Sequence, residues 1–80
     1  MTINELESIL HDKKIPKDTY SLKGGLPSEA YCIEEKDGEW HLYYSERGIK
    51  RTLGQFEKEE AAVKAFIKEY QSGTHIIILS

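Results

Sequence analysis

Apolar and polar positions alternate on both sides of Asp37-Gly38, in the stretch YCIEEKDGEWHLYYSERG. An Asp-Gly pair between two alternating runs is the strongest short-range signal for a β-hairpin, because a type I′ turn needs positive φ at both central residues. Such a turn fixes the register: Lys36 pairs with Glu39, and further along Tyr31 pairs with Tyr44. The pattern therefore predicts two antiparallel strands joined by a two-residue turn.

This register divides the hairpin side chains between two faces. The apolar face contains Tyr31, Ile33, Trp40, Leu42 and Tyr44. The opposite face, called the outer face below, contains Cys32, Glu34, Lys36, Glu39, His41 and Tyr43. A slip by one residue would set Ile33 against His41 and mix the faces. We expect the apolar face to line the core and the outer face to be open to a partner.

Two further strands flank this hairpin in the sequence. The segment ERG at 46–48 predicts a second turn, and IKRTLGQF at 49–56 alternates as a third strand of the meander. On the other side, Tyr20 and Leu22 alternate in a short strand. The glycines and proline of 24–27 then indicate a loop.

Helical periodicity marks both ends of the chain. In TINELESILHD, Thr2 and Glu5 have the spacing of a capping box, and Pro16 is expected to end the helix. Its apolar stripe consists of Ile3, Leu6, Ile9 and Leu10.

A second helix is predicted from Glu57 to about Ser72, with Gly73 as its C-cap and no good side chain for its N-cap. Its apolar stripe consists of Ala62, Val63, Phe66, Ile67 and Tyr70. Negative charge in its first turn suits the helix dipole.

The last apolar run, HIIIL at 75–79, lacks alternation. It predicts a strand that is buried on both faces or that forms an exposed edge in need of a cover. Together these elements predict a single α+β domain over residues 1–80. A small antiparallel sheet, a hairpin meander of three to five strands, carries the N-terminal and C-terminal helices on its apolar face.

Composition narrows the class of protein only slightly. A chain of 80 residues is too short for a deep catalytic cleft to be expected. Its formal charge of −3 disfavours nucleic acid as a direct ligand, because phosphate binding needs basic side chains. The basic segment RGIKR at 47–51 lies among acidic residues, which weakens a nucleic-acid role further. A single cysteine and the absence of an apolar leader or membrane-spanning run predict a cytoplasmic location.

Candidate chemistry is sparse. Cys32 and His41 are diagonal neighbours on the outer face, which leaves open a small Cys/His hydrolase, although a buried thiol beside a His–Glu pair is the simpler interpretation. The three histidines lie on separate elements and only one cysteine exists, so no metal site is predicted. We predict no catalytic residue and no cofactor.

The chain resembles the small immunity proteins of bacterial polymorphic-toxin systems, most of all the immunity protein 59 family. The resemblance covers about residues 19 to 70. It rests on Gly38 and Trp40, Tyr43-Tyr44, the ERG turn, Phe56, and the Glu-Ala run that opens the last helix. The tail HIIILS departs from the pattern.

The resemblance implies an immunity protein, which binds a cognate toxin domain and blocks it without catalysis. Acidic side chains and outer-face groups are then the expected contacts: Glu34, Glu39, His41, Tyr43, Glu57, Glu59 and Glu60. Two alternatives stay open beside it. The chain could be a small scaffold that homodimerises through its C-terminal strand, or the hydrolase considered above.

Overall fold

The computed structural model describes residues 1–79 and confirms the α+β class. Two helices, α1 and α2, flank a sheet of four strands in the order β1-β2-β3-β4. The bounds are α1 Ile3–Asp12, a 3₁₀ turn Lys17–Thr19, β1 Tyr20–Ser21, β2 Ala30–Lys36, β3 Glu39–Glu46, β4 Ile49–Phe56 and α2 Glu59–Thr74. None of these helices, within the described part of the chain, is both long and apolar enough to cross a membrane.

The central hairpin has the predicted register. Lys36 pairs with Glu39 and Tyr31 with Tyr44, and Asp37 and Gly38 have φ of 54° and 80°, as a type I′ turn requires. The next turn has the same character, with positive φ at both residues of 47–48. Local turn chemistry therefore sets the pairing of β2, β3 and β4.

The sheet is mixed, whereas the sequence pattern predicted an antiparallel meander. β1 runs parallel to β2, with Tyr20 beside Tyr31. The chain leaves β1 alongside β2, turns back at Gly24-Gly25, where φ is positive at both residues, and returns to begin β2. This return path makes the two neighbouring strands run in the same direction.

The β3–β4 pair contains a bulge. Leu42 pairs with Gly54 but Tyr43 pairs with Thr52, so Leu53 is an extra residue on β4. β4 is also an edge strand, and its residues 49–53 are all exposed to solvent. A bulge and basic side chains on an edge strand discourage unwanted pairing with another chain.

The main core lies between the apolar face of the sheet and the helices. Its fully or nearly fully buried side chains are Leu6, Leu10, Ile15, Ile33, Leu42, Ala62, Val63, Phe66, Tyr70 and Ile78. Burying a large apolar side chain contributes about 1.5–3 kcal/mol, so this cluster is the main source of stability. Trp40 lies at its rim and is only partly buried.

The capping box at the start of α1 forms as predicted. Thr2 N–H donates to Glu5 Oε1 (2.9 Å), and Glu5 N–H donates to Thr2 Oγ1 (3.2 Å). The hydrogen bond from the Thr2 backbone N–H to the carboxylate is the largest cause that lowers the pKa of Glu5. The helix ends at Asp12, the last residue of the predicted segment and four residues before Pro16. Lys14 takes a left-handed conformation (φ 55°), and Ile15 N–H donates to the Leu10 carbonyl (3.0 Å).

α2 begins at Glu59 and ends at Thr74, later at both ends than predicted. Gly73 is therefore inside the last turn, and His75 (φ 63°) closes the helix instead. The reason for glycine at 73 is a close approach, since a Cβ there would collide with the Tyr31 hydroxyl. As expected, no side chain caps the start at Lys58.

The predicted C-terminal strand is absent from residues 75–79. The left-handed turn at His75 redirects the chain, and Gln71 Oε1 accepts hydrogen bonds from the N–H groups of Ile78 and Leu79, both at 2.7 Å. Ile78 is fully buried and belongs to the core, whereas its neighbours Ile77 and Leu79 are exposed. Ser80 of the HIIILS segment lies outside the described residues, and a homodimer through this segment stays a prediction.

Candidate partner-binding surface

The sheet register brings the two acidic segments of the chain to one end of the molecule. Glu35, Trp40 and Phe56 form one row across β2, β3 and β4. The hairpin turn and the start of α2 both lie just beyond that row. The exposed carboxylates of this region, called the acidic end below, are Glu35, Asp37, Glu39, Glu57 and Glu60.

The net negative charge of the protein comes from the two segments that meet at the acidic end. Segments 35–39 and 57–60 each contain three carboxylates and one lysine, so together they have a formal charge of −4. The whole chain has −3, which leaves the remainder at +1. The turn at 46–51, at the opposite end of β3 and β4, carries Arg47, Lys50 and Arg51. The molecule is therefore electrically polarised along its strands.

Two aromatic side chains border the acidic end. Trp40 and Phe56 are cross-strand partners, and both are only partly buried against the core. The Phe56 ring lies over Gly54, where a Cβ would come within 2.8 Å of it. Partly exposed aromatic groups beside charge are a common composition for protein-binding surfaces.

Of the predicted contact residues, Glu39, Glu57 and Glu60 belong to the acidic end. Glu59 differs from them, because its carboxylate is bound within the protein. Its Oε2 accepts a hydrogen bond from Ile3 N–H (2.8 Å), and the residue is partly buried. Glu59 thereby ties the start of α1 to the start of α2. The sequence pattern gave no signal for this, because the bond joins residues 56 positions apart.

Glu34 is paired within the outer face. Lys50 Nζ donates to Glu34 Oε1 (3.3 Å), and the same ammonium lies 4.8 Å from the centre of the Tyr43 ring. Both members of the ion pair are partly exposed, so it contributes little to stability, on the order of 0–1 kcal/mol. His41 lies between Glu34 and Gln55 on this face and is partly exposed.

Tyr43 is not open to solvent, in contrast to the sequence expectation. It is 2% exposed, and its hydroxyl donates a hydrogen bond to the Gly25 carbonyl (2.6 Å). Residues 23–29, called the loop strap below, include this acceptor and run beside the outer face. Burial raises the pKa of the Tyr43 phenol well above its usual value of 10.0. The outer face is therefore open only in part.

Cys32 is likewise buried, with 0% exposure. Its cross-strand neighbour is Tyr43, and its Sγ donates a weak hydrogen bond to the Ala30 carbonyl (3.6 Å). Burial raises the pKa of the thiol, which disfavours the nucleophilic thiolate at neutral pH. The geometry does not favour a Cys32–His41 nucleophile.

Among residues 1–79, no three His, Cys, Asp or Glu side chains converge in a way that could hold a metal ion. A surface groove of about 640 Å³ lies between α1 and the 17–23 segment, and sequence reasoning missed it. Its walls carry both signs of charge, with Glu7 and Asp12 on α1 and Lys17 and Lys23 on the segment beside it. No sequence motif marks it, because it arises from packing between separate elements.

No family model matches the chain, and no curated protein or solved structure matches it. Evidence on function therefore comes from the surface itself and from the motifs that resemble those of immunity proteins.

Proposed function

We propose that this chain is an immunity protein, which binds a cognate toxin domain and blocks it by occlusion. One observation carries the proposal: five exposed carboxylates share one end of the molecule with the partly exposed rings of Trp40 and Phe56. The motifs around Asp37-Gly38, the ERG turn and the Glu-Ala run support the same class. On this proposal the chain acts as a binding module without catalysis, in the cytoplasm of the cell that makes the toxin.

The chemistry of the acidic end defines the partner surface that fits it. A toxin domain with a basic cleft would be attracted over a distance, because complementary fields raise association rates most at low ionic strength. Aromatic side chains that become buried in the complex would then slow dissociation. A cleft that accepts phosphate is basic for its own reasons, so a nuclease toxin is the partner class that suits this end best.

The proposal is tested by co-expression with the toxin domain encoded beside this chain's own gene. We expect the toxin domain alone to arrest growth, and the pair to grow and to purify as a complex of defined mass. A catalytically inactive toxin variant should still form the complex, since occlusion does not require toxin activity. Growth arrest in the presence of the folded chain, with no complex between the purified proteins, would contradict the proposal.

A further inference from the structure

The sheet separates two buried clusters of very different size. The main core lies on the helix side. The second cluster, on the outer face, consists only of Ala30, Cys32 and Tyr43. Ser45, two residues beyond Tyr43 and therefore on the same face, is fully buried as well. Since the sheet stands between the clusters, the small one can be uncovered without disturbing the large one.

The loop strap is held beside the small cluster by few contacts. Gly24 N–H donates to the Ile33 carbonyl (3.0 Å), Tyr43 Oη donates to the Gly25 carbonyl (2.6 Å), and Ser21 Oγ donates to the Gly24 carbonyl (2.7 Å). Leu26, in the middle of the loop strap, is 54% exposed and adds little to any apolar contact. The net contribution of each such hydrogen bond to stability is small, so the segment is weakly attached.

Two features destabilise the arrangement in which the loop strap lies against the outer face, called the closed state below. Glu29 takes a left-handed conformation with φ 52°, which is sterically unfavourable for a residue that has a Cβ. The Ser45 hydroxyl is buried without a hydrogen-bond partner among the described residues. A buried hydroxyl that lacks a partner is destabilising, and exposure to water relieves it.

We infer that residues 23–29 open as a unit while the helices and sheet stay folded, and that this opening controls access to the outer face. In the closed state Tyr43 and Cys32 are covered. In the open state the Tyr43 ring, its hydroxyl and the neighbouring Glu34–Lys50 pair form one accessible surface. Local opening of this kind is expected where a segment has few buried contacts of its own. The inference stands independently of the proposed function.

Cys32 is a built-in reporter of the open state, because it is the only cysteine and is buried when the loop strap is closed. A chromogenic disulfide reagent reacts with the exposed thiolate, forms a mixed disulfide and releases a coloured thiol. The labelling rate of the folded protein, divided by that of the protein unfolded in denaturant, gives the open fraction when closing is fast. Global unfolding is measured separately by circular dichroism.

We expect the open fraction to exceed the globally unfolded fraction at least about 10-fold, and to rise less steeply with denaturant than global unfolding does. Tyr43→Phe should raise the labelling rate about 5–10-fold, the effect of losing one hydrogen bond. Gly25→Ala should raise it too, through φ strain, since a Cβ there would meet only Pro27 Cδ at an ordinary contact distance of 4.0 Å. The matched control is Tyr44→Phe, on the opposite face, which should leave the labelling rate unchanged.

Labelling that follows global unfolding, with the same denaturant slope in the wild type and in all three variants, would overturn the inference. Equal effects of Tyr43→Phe and Tyr44→Phe on the labelling rate would overturn it as well. Because Gly25→Ala and Tyr43→Phe act through different contacts, failure of one variant to fold still leaves the other to decide.

Discussion

At the residue scale, Trp40 and Tyr43 lie on opposite faces of β3 and pack against different clusters. Trp40 is on the apolar face, as its position in β3 predicts, yet it lies at the rim of the core and is partly exposed. Tyr43 is on the outer face, yet it is 2% exposed and its hydroxyl bonds to the Gly25 carbonyl. Burial depends on what covers each face, and no local pattern in β3 encodes the loop strap.

Because Tyr43 is more deeply buried than Trp40, we expect its truncation to alanine to cost more free energy of unfolding. Tyr43→Ala should lower the free energy of unfolding by about 3 kcal/mol, since it removes a buried ring and its hydrogen bond. Trp40→Ala should cost less, because part of its ring is already in water. Chemical denaturation of the two variants gives the comparison. A larger loss from Trp40→Ala than from Tyr43→Ala would contradict this prediction.

At the element scale, the accuracy of prediction followed the range of the interactions. The β2–β3 register and the capping box at Thr2 depend on neighbours in sequence, and both formed as predicted. The ends of α2, the parallel pairing of β1 and the path of residues 75–79 depend on distant contacts. Gly73 shows the difference: its position after a helical run suggested a C-cap, whereas the Tyr31 ring is what requires glycine there.

The close approach of Tyr31 to Gly73 predicts that alanine at this position destabilises the protein, the opposite of its usual effect inside a helix. In an exposed helix interior, Gly→Ala stabilises by about 0.5–1 kcal/mol. Here Gly73→Ala should destabilise, because the new Cβ would meet the Tyr31 hydroxyl and lie within 2.7 Å of its Cζ. A double-mutant cycle supplies the test. In a Tyr31→Ala background, the same Gly73→Ala change should recover the ordinary gain. A stabilising Gly73→Ala in the wild-type background would mean that the ring moves aside at no cost.

The same distinction applies to the candidate surface. Glu39, Glu57 and Glu60 were expected as contacts from their charge and predicted exposure. That they share one end follows only from the register of β4, which brings Phe56 opposite Trp40. Glu35 and Asp37 belong to the same end and were missed, although the hairpin register already placed them near the turn.

At the scale of the whole molecule, four partly or fully buried phenols predict a limit to alkaline stability. Burial is the largest cause that raises the pKa of Tyr20, Tyr31, Tyr43 and Tyr44 above 10.0. The unfolded chain therefore releases these protons first. Stability is fully present below about pH 10 and is lost as the pH rises from there through the folded pKa values.

Chemical denaturation at about pH 8, 9 and 11 should show similar free energies of unfolding at the first two values and a clear loss at the third. Tyr43→Phe should reduce the alkaline loss, because it removes the phenol whose pKa is raised most. A free energy of unfolding that stays constant up to pH 11 would contradict this prediction.

The charge polarity of the molecule is the basis of the proposed partner interaction. Glu59 must be left unchanged in any charge-reversal variant, because its carboxylate holds Ile3 N–H and its loss would weaken the fold. The test variant therefore carries Glu39→Lys, Glu57→Lys and Glu60→Lys. The control variant carries Glu7→Lys, Asp12→Lys and Asp18→Lys, an identical change in net charge at exposed positions away from the acidic end.

The most direct measurement is the association rate constant with an inactivated form of the proposed toxin domain, sought in the gene beside this chain's own, across a salt series. The acidic-end variant should associate at least about 10-fold more slowly than wild type at low salt, and the difference should shrink as salt is added. The control variant should stay close to wild type throughout. If both variants lose the same amount, only net charge matters. If neither differs from wild type at any salt concentration, the acidic end is not the contact surface.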